Sequence, residues 1–212
     1  DFVAVSWGAA LGDSYYDAQL MDMSVFEAGL KAQEEGYDAV CIDTVSDSGM
    51  YALRSRLSIP VLGPGQAAFH VACMLGHKFS IITMWDEWFH LYRKVLSEYK
   101  LEARCASMRS IDTRPDLAEL LAGKEEVIFQ KLESEALKAI EEDKADVIVL
   151  GSTTMHQSYA FLQQALPVPV INPGLISYKL CEMFLETGLC HSKRAFPAPQ
   201  QPNDDLVLSR NN

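Results

Sequence analysis

Val147-Ile148-Val149-Leu150 is a run of four apolar, mostly β-branched residues between Asp146 and Gly151. A strand with one wet face would alternate apolar and polar positions, so an unbroken run reads as a strand covered on both faces. Related runs occur at Phe2-Val3-Ala4-Val5, Ala39–Ile42, Pro60-Val61-Leu62, Phe79–Thr83 and Arg104–Met108. Helical patterns lie between them, over Met21–Glu35, Ser48–Leu57, Gly65–Leu75, Glu87–Tyr99 and residues 125–142. The last has Ile128, Leu132, Ala136 and Ile140 at four-residue spacing on one face. A helix, a short strand and a helix carry the pattern to Thr187. Buried strands alternating with helices define an α/β chain with parallel sheets.

The pattern occurs twice. Asp38-Ala-Val-Cys-Ile-Asp-Thr44 leads through a helix to Ile59-Pro-Val-Leu-Gly-Pro-Gly65 and a second helix. Asp146-Val-Ile-Val-Leu-Gly-Ser152 leads in the same way to Val168-Pro-Val-Ile-Asn-Pro-Gly174. Thr44 pairs with Ser152, and Gly63 with Asn172. The repeat predicts two pseudo-symmetric parallel-sheet α/β domains with the site in the cleft between them. Residues 1–77 plus 173–194 form the first, 78–172 the second, and 195–212 an extended tail. Ligands of open parallel sheets bind outside the carboxyl ends of strands. Thr44 and Ser152 stand at two such ends and are expected on opposite walls of the cleft. The helix N-termini that follow suit a carboxylate or another anion.

A formal net charge of -11 argues against nucleic acid and against an anionic membrane surface. The most basic stretch, His191-Ser192-Lys193-Arg194, reads as a solvated end. No stretch of ~18 uninterrupted apolar residues exists to span a bilayer. Cys41, Cys73, Cys105, Cys181 and Cys190 are odd in number, widely spaced and without a CxxC pair, and are expected as buried free thiols in a reducing cytosol.

Several motifs together resemble the aspartate/glutamate/hydantoin racemase superfamily, closest to its hydantoin racemase branch. They are Glu35-Gly36-Tyr37-Asp38-Ala39, Thr44-Val45-Ser46-Asp47-Ser48-Gly49, Pro60-Val61-Leu62-Gly63-Pro64-Gly65-Gln66-Ala67-Ala68, Ser80-Ile81-Ile82-Thr83 and Leu150-Gly151-Ser152-Thr153-Thr154-Met155. The match runs from about residue 10 to about Lys193, and the family pattern places one more strand and helix ahead of Phe2. The resemblance implies cofactor-independent chemistry at a carbon next to a carbonyl or carboxylate of a small substrate, and suggests a homodimer. In the family two cysteines face that carbon, one removing a proton as thiolate and the other returning one. Thiols suit the task because their pKa of ~8.5 lies near the working range.

At those two positions this chain has Thr44 and Ser152, so the resemblance excludes a plain two-thiol racemisation. Asp43 is a candidate general base, or a carboxylate that bonds loop N–H groups. Asp47 reads as a helix N-cap. His156, four residues after Ser152, would share its helical face and could assist it as proton donor or nucleophile. There is no Gly-x-Ser-x-Gly elbow. Asp43, Asp47 and His156 lack metal-ligand spacing. Thr83, Asn172, Ser46 and Thr153 are expected beside the substrate. Trp85, Trp88 and Phe89 either wall the cleft or pack a helix. The leading function is a cofactor-free isomerase acting on a small carboxylate, amide or hydantoin-like substrate with a non-thiol set. A lyase, decarboxylase or hydrolase on the same scaffold, and a non-catalytic binder of small ligands, remain as alternatives.

Overall fold

The computed structural model describes residues 1–115 and 126–208, leaving the side chains of residues 126 and 127 aside. Eight helices and six strands are described: α1 (Tyr15–Gly29), β1 (Val40–Cys41), α2 (Met50–Arg56), β2 (Val61–Leu62), α3 (Pro64–Leu75), β3 (Phe79–Thr83), α4 (Phe89–Glu98), β4 (Cys105–Ser110), α5 (Glu126–Glu141), β5 (Val147–Leu150), α6 (His156–Ala165), β6 (Val170–Ile171), α7 (Pro173–Thr187) and α8 (Asp205–Leu208). All strand pairs are parallel. β1 and β2 form one small sheet, and β4-β3-β5-β6 form the other. The chain is an α/β protein with two parallel sheets.

The internal repeat is built into the ladders. Val40 pairs with Val61 and Cys41 with Leu62. At the equivalent positions Ile148 pairs with Val170 and Val149 with Ile171. The same backbone bond recurs from Val40 N to the Pro60 carbonyl (2.8 Å) and from Ile148 N to the Pro169 carbonyl (2.9 Å). Each ladder ends in a Pro-Gly pair that opens a helix, since Pro at the first helical position forfeits no intrahelical bond. The two helices so placed, α3 and α7, pack against each other.

Strand alternation separates the core of the larger sheet into two layers. Ile82, Ile148 and Leu150 meet Leu132, Ala136 and Ala139 of α5 and Leu162 of α6. Phe79, Ile81, Val147 and Val149 meet Phe69 and Ala72 of α3 and Val95 and Leu96 of α4. A smaller cluster of Ile42, Met50, Leu53, Leu57 and Val61 holds the first sheet.

Three expectations need correction. Residues 2–5 form no strand: they bond to no sheet, and Phe2, Val3 and Val5 are exposed. Neither ladder bonds nor burial are there to hold an extended conformation. The first helix starts six residues before Met21, where the Ser14 side chain accepts from Asp17 N, and ends at Gly29. The strand at Val40–Cys41 is not sealed, since Val40 is half-buried and Cys41 exposed. The expected start of the long helix at residue 125 lies outside the described residues.

The basic stretch is docked rather than solvated. The Lys193 ammonium donates to the carbonyls of Arg54, Ser55 and Leu57 at the end of α2. These are the carbonyls that a helix C-terminus leaves unpaired, at the negative end of its dipole. His191 Nε2 accepts from Val61 N (2.9 Å), which requires a neutral ring, and burial pushes its pKa down to about 4. Ser55 donates to the Pro197 carbonyl, and Arg56 forms a bidentate pair with Asp204, Nη2 to Oδ2 at 2.6 Å and Nε to Oδ1 at 3.2 Å. The tail follows the first half and ends, within the described residues, in the helical turn α8; residues 209–212 lie outside them. We expect Lys193→Met to cost about 1 kcal/mol, read as a lower urea midpoint at unchanged slope.

Candidate functional site

The loops after β1 and β5 meet. Thr153 Oγ1, at the end of β5, donates to the Asp43 carbonyl at the end of β1 (3.1 Å). The same hydroxyl and the His156 ring also act on the Asp43 carboxyl. Surrounding atoms raise the pKa of that carboxyl by desolvation, while the Thr153 hydroxyl and His156 pull it back. Asp43 and His156 are exposed; Thr44, Ser152 and Thr153 are half-buried. A carboxylate and an imidazole from opposite repeats thus interact electrostatically at solvent-accessible positions, and Thr153 ties the two loops together.

The loop after β1 is held by its own polar groups. Thr44 Oγ1 accepts from Ser48 N (3.4 Å), and its carbonyl from Asp47 N (2.9 Å). Ser46 is buried, with Oγ 2.8 Å from Ser48 Oγ. Asp47 does not cap the helix that follows it: α2 has Gly49 at its N-cap. Its carboxylate reaches instead to α3, accepting from Gly65 N and Gln66 N at 2.7 Å each. Gly63 makes this possible, because a Cβ there would collide with the Asp47 carboxylate. Asp47 is buried, and desolvation raises its pKa to about 7 against the pull of the two N–H groups.

After β5 the Ser152 side chain caps a short 3-10 turn, Thr153–Met155, accepting from Thr154 N (3.3 Å) and lying 2.8 Å from Thr154 Oγ1. No hydrogen bond joins Ser152 to His156 among the described residues; His156 opens α6 and acts electrostatically on Asp43. Thr83 is sealed. Its Oγ1 is 2.9 Å from the Tyr92 hydroxyl, which donates to the Gly151 carbonyl (2.7 Å). A Cβ on Gly151 would lie 2.6 Å from that phenol oxygen. Asn172 caps α7, accepting from Leu175 N (3.2 Å). Trp88 packs against both core layers and donates to the Leu11 carbonyl (2.7 Å), with Trp85 edge-on to it.

Sequence reasoning missed two groups. Tyr92 fixes the end of β5 from within the Glu87–Tyr99 helix pattern, where nothing in the sequence singles it out. The Asp47–α3 cap spans 18 residues, and its signal was the bare Gly63 where the other repeat has Asn172. No group of three or more His, Cys, Asp or Glu side chains is arranged to hold a metal among the described residues. No helix among them is long and apolar enough to cross a membrane.

Parallel sheets repeated within one chain, with polar strand ends meeting across the repeat, define a two-half α/β enzyme scaffold. The Asp/Glu/Hydantoin racemase family model matches residues 2–181, and the chain belongs to that family. It is 32% identical over 193 residues to a hydantoin racemase of Pseudomonas sp. (strain NS671), covering 90% of this chain and 76% of that one. It is 34% identical over 167 residues to a hydantoin racemase of Rhizobium meliloti, covering 77% and 66%. The allantoin racemase of Klebsiella pneumoniae superposes with a TM-score of 0.86 at 29% identity, covering 96% of this chain and 83% of that one. The chain is accordingly an enzyme of the racemase superfamily with an isomerase-like function.

Two outcomes check this geometry. Tyr92→Phe leaves the Gly151 carbonyl and Thr83 hydroxyl without their shared partner and is expected to cost about 1–3 kcal/mol in denaturant unfolding. Asp47 titrates near ~3.9 in an unfolded chain and at about 7 in the folded one. Its contribution to stability is therefore full below the unfolded value and is lost as pH rises through the folded value. Relative to Asp47→Asn, the native chain is expected to lose stability from pH 4 to 7 by at most about 1.4 kcal/mol per pH unit. Amide shifts of Gly65 and Gln66 should titrate with the same midpoint.

Proposed function

We propose that this enzyme is a cofactor-independent racemase or epimerase acting next to a carbonyl or carboxylate of a small, hydantoin-like or amino-acid-derived substrate. The observation that carries the reading is the meeting of the two loops, where Thr153 bonds the Asp43 carbonyl and His156 acts electrostatically on the Asp43 carboxyl. A carboxylate of raised pKa is a stronger base than an ordinary one, which favours proton removal from carbon. In this reading Asp43 takes the proton and His156 returns one. The Thr44 and Ser152 hydroxyls hydrogen-bond the oxygen on which charge builds. Thr153 holds the Asp43 loop against the substrate. Ser46, Thr83 and Asn172, engaged with Ser48, Tyr92 and Leu175 N, position the loops.

The two halves differ in where they accept an anion. The N-terminus of α3 is taken by the Asp47 carboxylate, whereas that of α7 is capped by neutral Asn172. Gly174, in the first turn of α7, stands close to Thr153, whose methyl would lie 3.6 Å from a Cβ placed there. A substrate carboxylate or imide oxygen is therefore drawn toward α7 and Thr153. The cytosol as the place of action rests on the free cysteines.

The test is deuterium wash-in from D2O on a panel of 5-substituted hydantoins, allantoin and free amino acids, read by proton NMR and chiral separation. We expect exchange at the stereogenic carbon together with loss of optical purity. Asp43→Asn should lower kcat about 10²–10⁴-fold, while Ser152→Ala should act mainly on KM. Absence of exchange and of product across the panel would overturn the reading. Consumption of substrate without isotope at that carbon would instead assign a lyase, decarboxylase or hydrolase. Unaltered ligand in a tight complex would assign a binding protein.

A further inference from the structure

Cys41 and Cys181 lie outside this machinery and meet each other. Strand alternation accounts for the encounter. Val40 and Ile42 pack with the Met50, Leu53 and Leu57 cluster on one side of β1. Cys41, between them, points to the other side, where α7 packs against β1. The Ser177 and Cys181 side chains, one helical turn apart on that helix, both act electrostatically on the Cys41 thiol. Cys41 is exposed, Cys181 is buried, and both are free.

We propose that Cys41 and Cys181 are an oxidisable dithiol, a modification site for hydrogen peroxide that closes to a disulfide stapling β1 to α7. The interaction between the two side chains holds the Cys181 thiol below its ordinary pKa and, together with burial, pushes Cys41 up. One sulfur of the pair is thereby biased toward the thiolate that reacts with peroxide. That sulfur attacks one peroxide oxygen, the O–O bond breaks, and a sulfenic acid and water form. The second thiol then displaces the sulfenic hydroxyl as a second water. Two thiols and one peroxide thus give one disulfide and two waters. The bond would fasten the strand that leads into Asp43 and Thr44 to the helix behind it. Cys190, also exposed, donates instead to the Ser58 carbonyl.

The experiment treats the full chain with a slight molar excess of hydrogen peroxide, then quenches, blocks remaining thiols and maps peptides by mass spectrometry. We expect a fall from five reactive thiols to three in the denatured chain, one peptide joining Cys41 to Cys181, recovery with dithiothreitol, and a higher Tm before reduction. Cys41→Ser, at an exposed position, should abolish the loss of paired thiols, and Cys190→Ser should leave it unchanged. The proposal is overturned by disulfides that omit either residue, by oxidation of Cys41 to higher acids without a bond to Cys181, or by the same thiol loss in Cys41→Ser. None of these readouts depends on turnover, so they stand or fall apart from the proposed racemase reaction.

Discussion

Parallel pairing between a strand and the short Pro-Val strand that follows its helix sets almost everything else in this molecule. In each repeat the ladder holds only two residue pairs, Val40–Val61 and Cys41–Leu62 in one, Ile148–Val170 and Val149–Ile171 in the other. Such a short ladder is not stable alone, and most of its support comes from the apolar helices laid over it. In return it fixes the start of α3 and α7 by the Pro-Gly pair at its end. These two helices then pack together and bring the preceding strand ends into reach of each other, where Thr153 donates to the Asp43 carbonyl.

The two halves solve the same capping problem with different residues. Position 63 is Gly and position 172 is Asn; position 47 is Asp and its counterpart 155 is Met. In the second half Asn172 caps its own helix, and Met155 fills the core as one of its most buried side chains. In the first half the cap comes from the neighbouring loop as Asp47, and Gly63 leaves the room it needs. The exchange conserves the capping bonds and the packing while moving a carboxylate into the interior. Desolvation there outweighs two backbone N–H bonds and pushes the Asp47 pKa up to about 7.

What the sequence revealed tracks where local rules dominate. Val147–Leu150 was readable to the residue because a fully buried strand favours an unbroken apolar run, and Phe79–Thr83 because Phe79, Ile81 and Ile82 keep most of that pattern around small Ser80 and Thr83. The repeat was readable because the Pro-Val-x-x-Pro-Gly signature encodes a ladder end and a helix start together. Residues 2–5 misled because an apolar run signals a strand only where a ladder partner stands beside it. Lys193 and His191 misled in the opposite sense: charge suggested solvent, while unpaired carbonyls at the end of α2 and an unpaired Val61 N–H were the real partners. The site divides in the same way. Asp43, Thr44, Ser152 and Thr153 follow from the strand-end rule, but the pairing of His156 with Asp43 instead of Ser152 depends on a 3-10 turn between Ser152 and α6.

That turn bears on the chemistry. A regular helix starting at Ser152 would have stacked His156 above it on one face. The tighter winding over Thr153–Met155 commits the Ser152 hydroxyl to Thr154 and turns Thr153 toward the Asp43 loop. A hydroxyl already bonded within its own turn is a fixed dipole, better suited to holding a developing negative oxygen than to carrying a proton. The carboxyl at Asp43 has the opposite character. It stands at an accessible strand end and is raised by the surrounding atoms, with an imidazole beside it to compensate its charge. In the proposed reaction, proton transfer therefore falls to Asp43 and His156 and orientation to the hydroxyls.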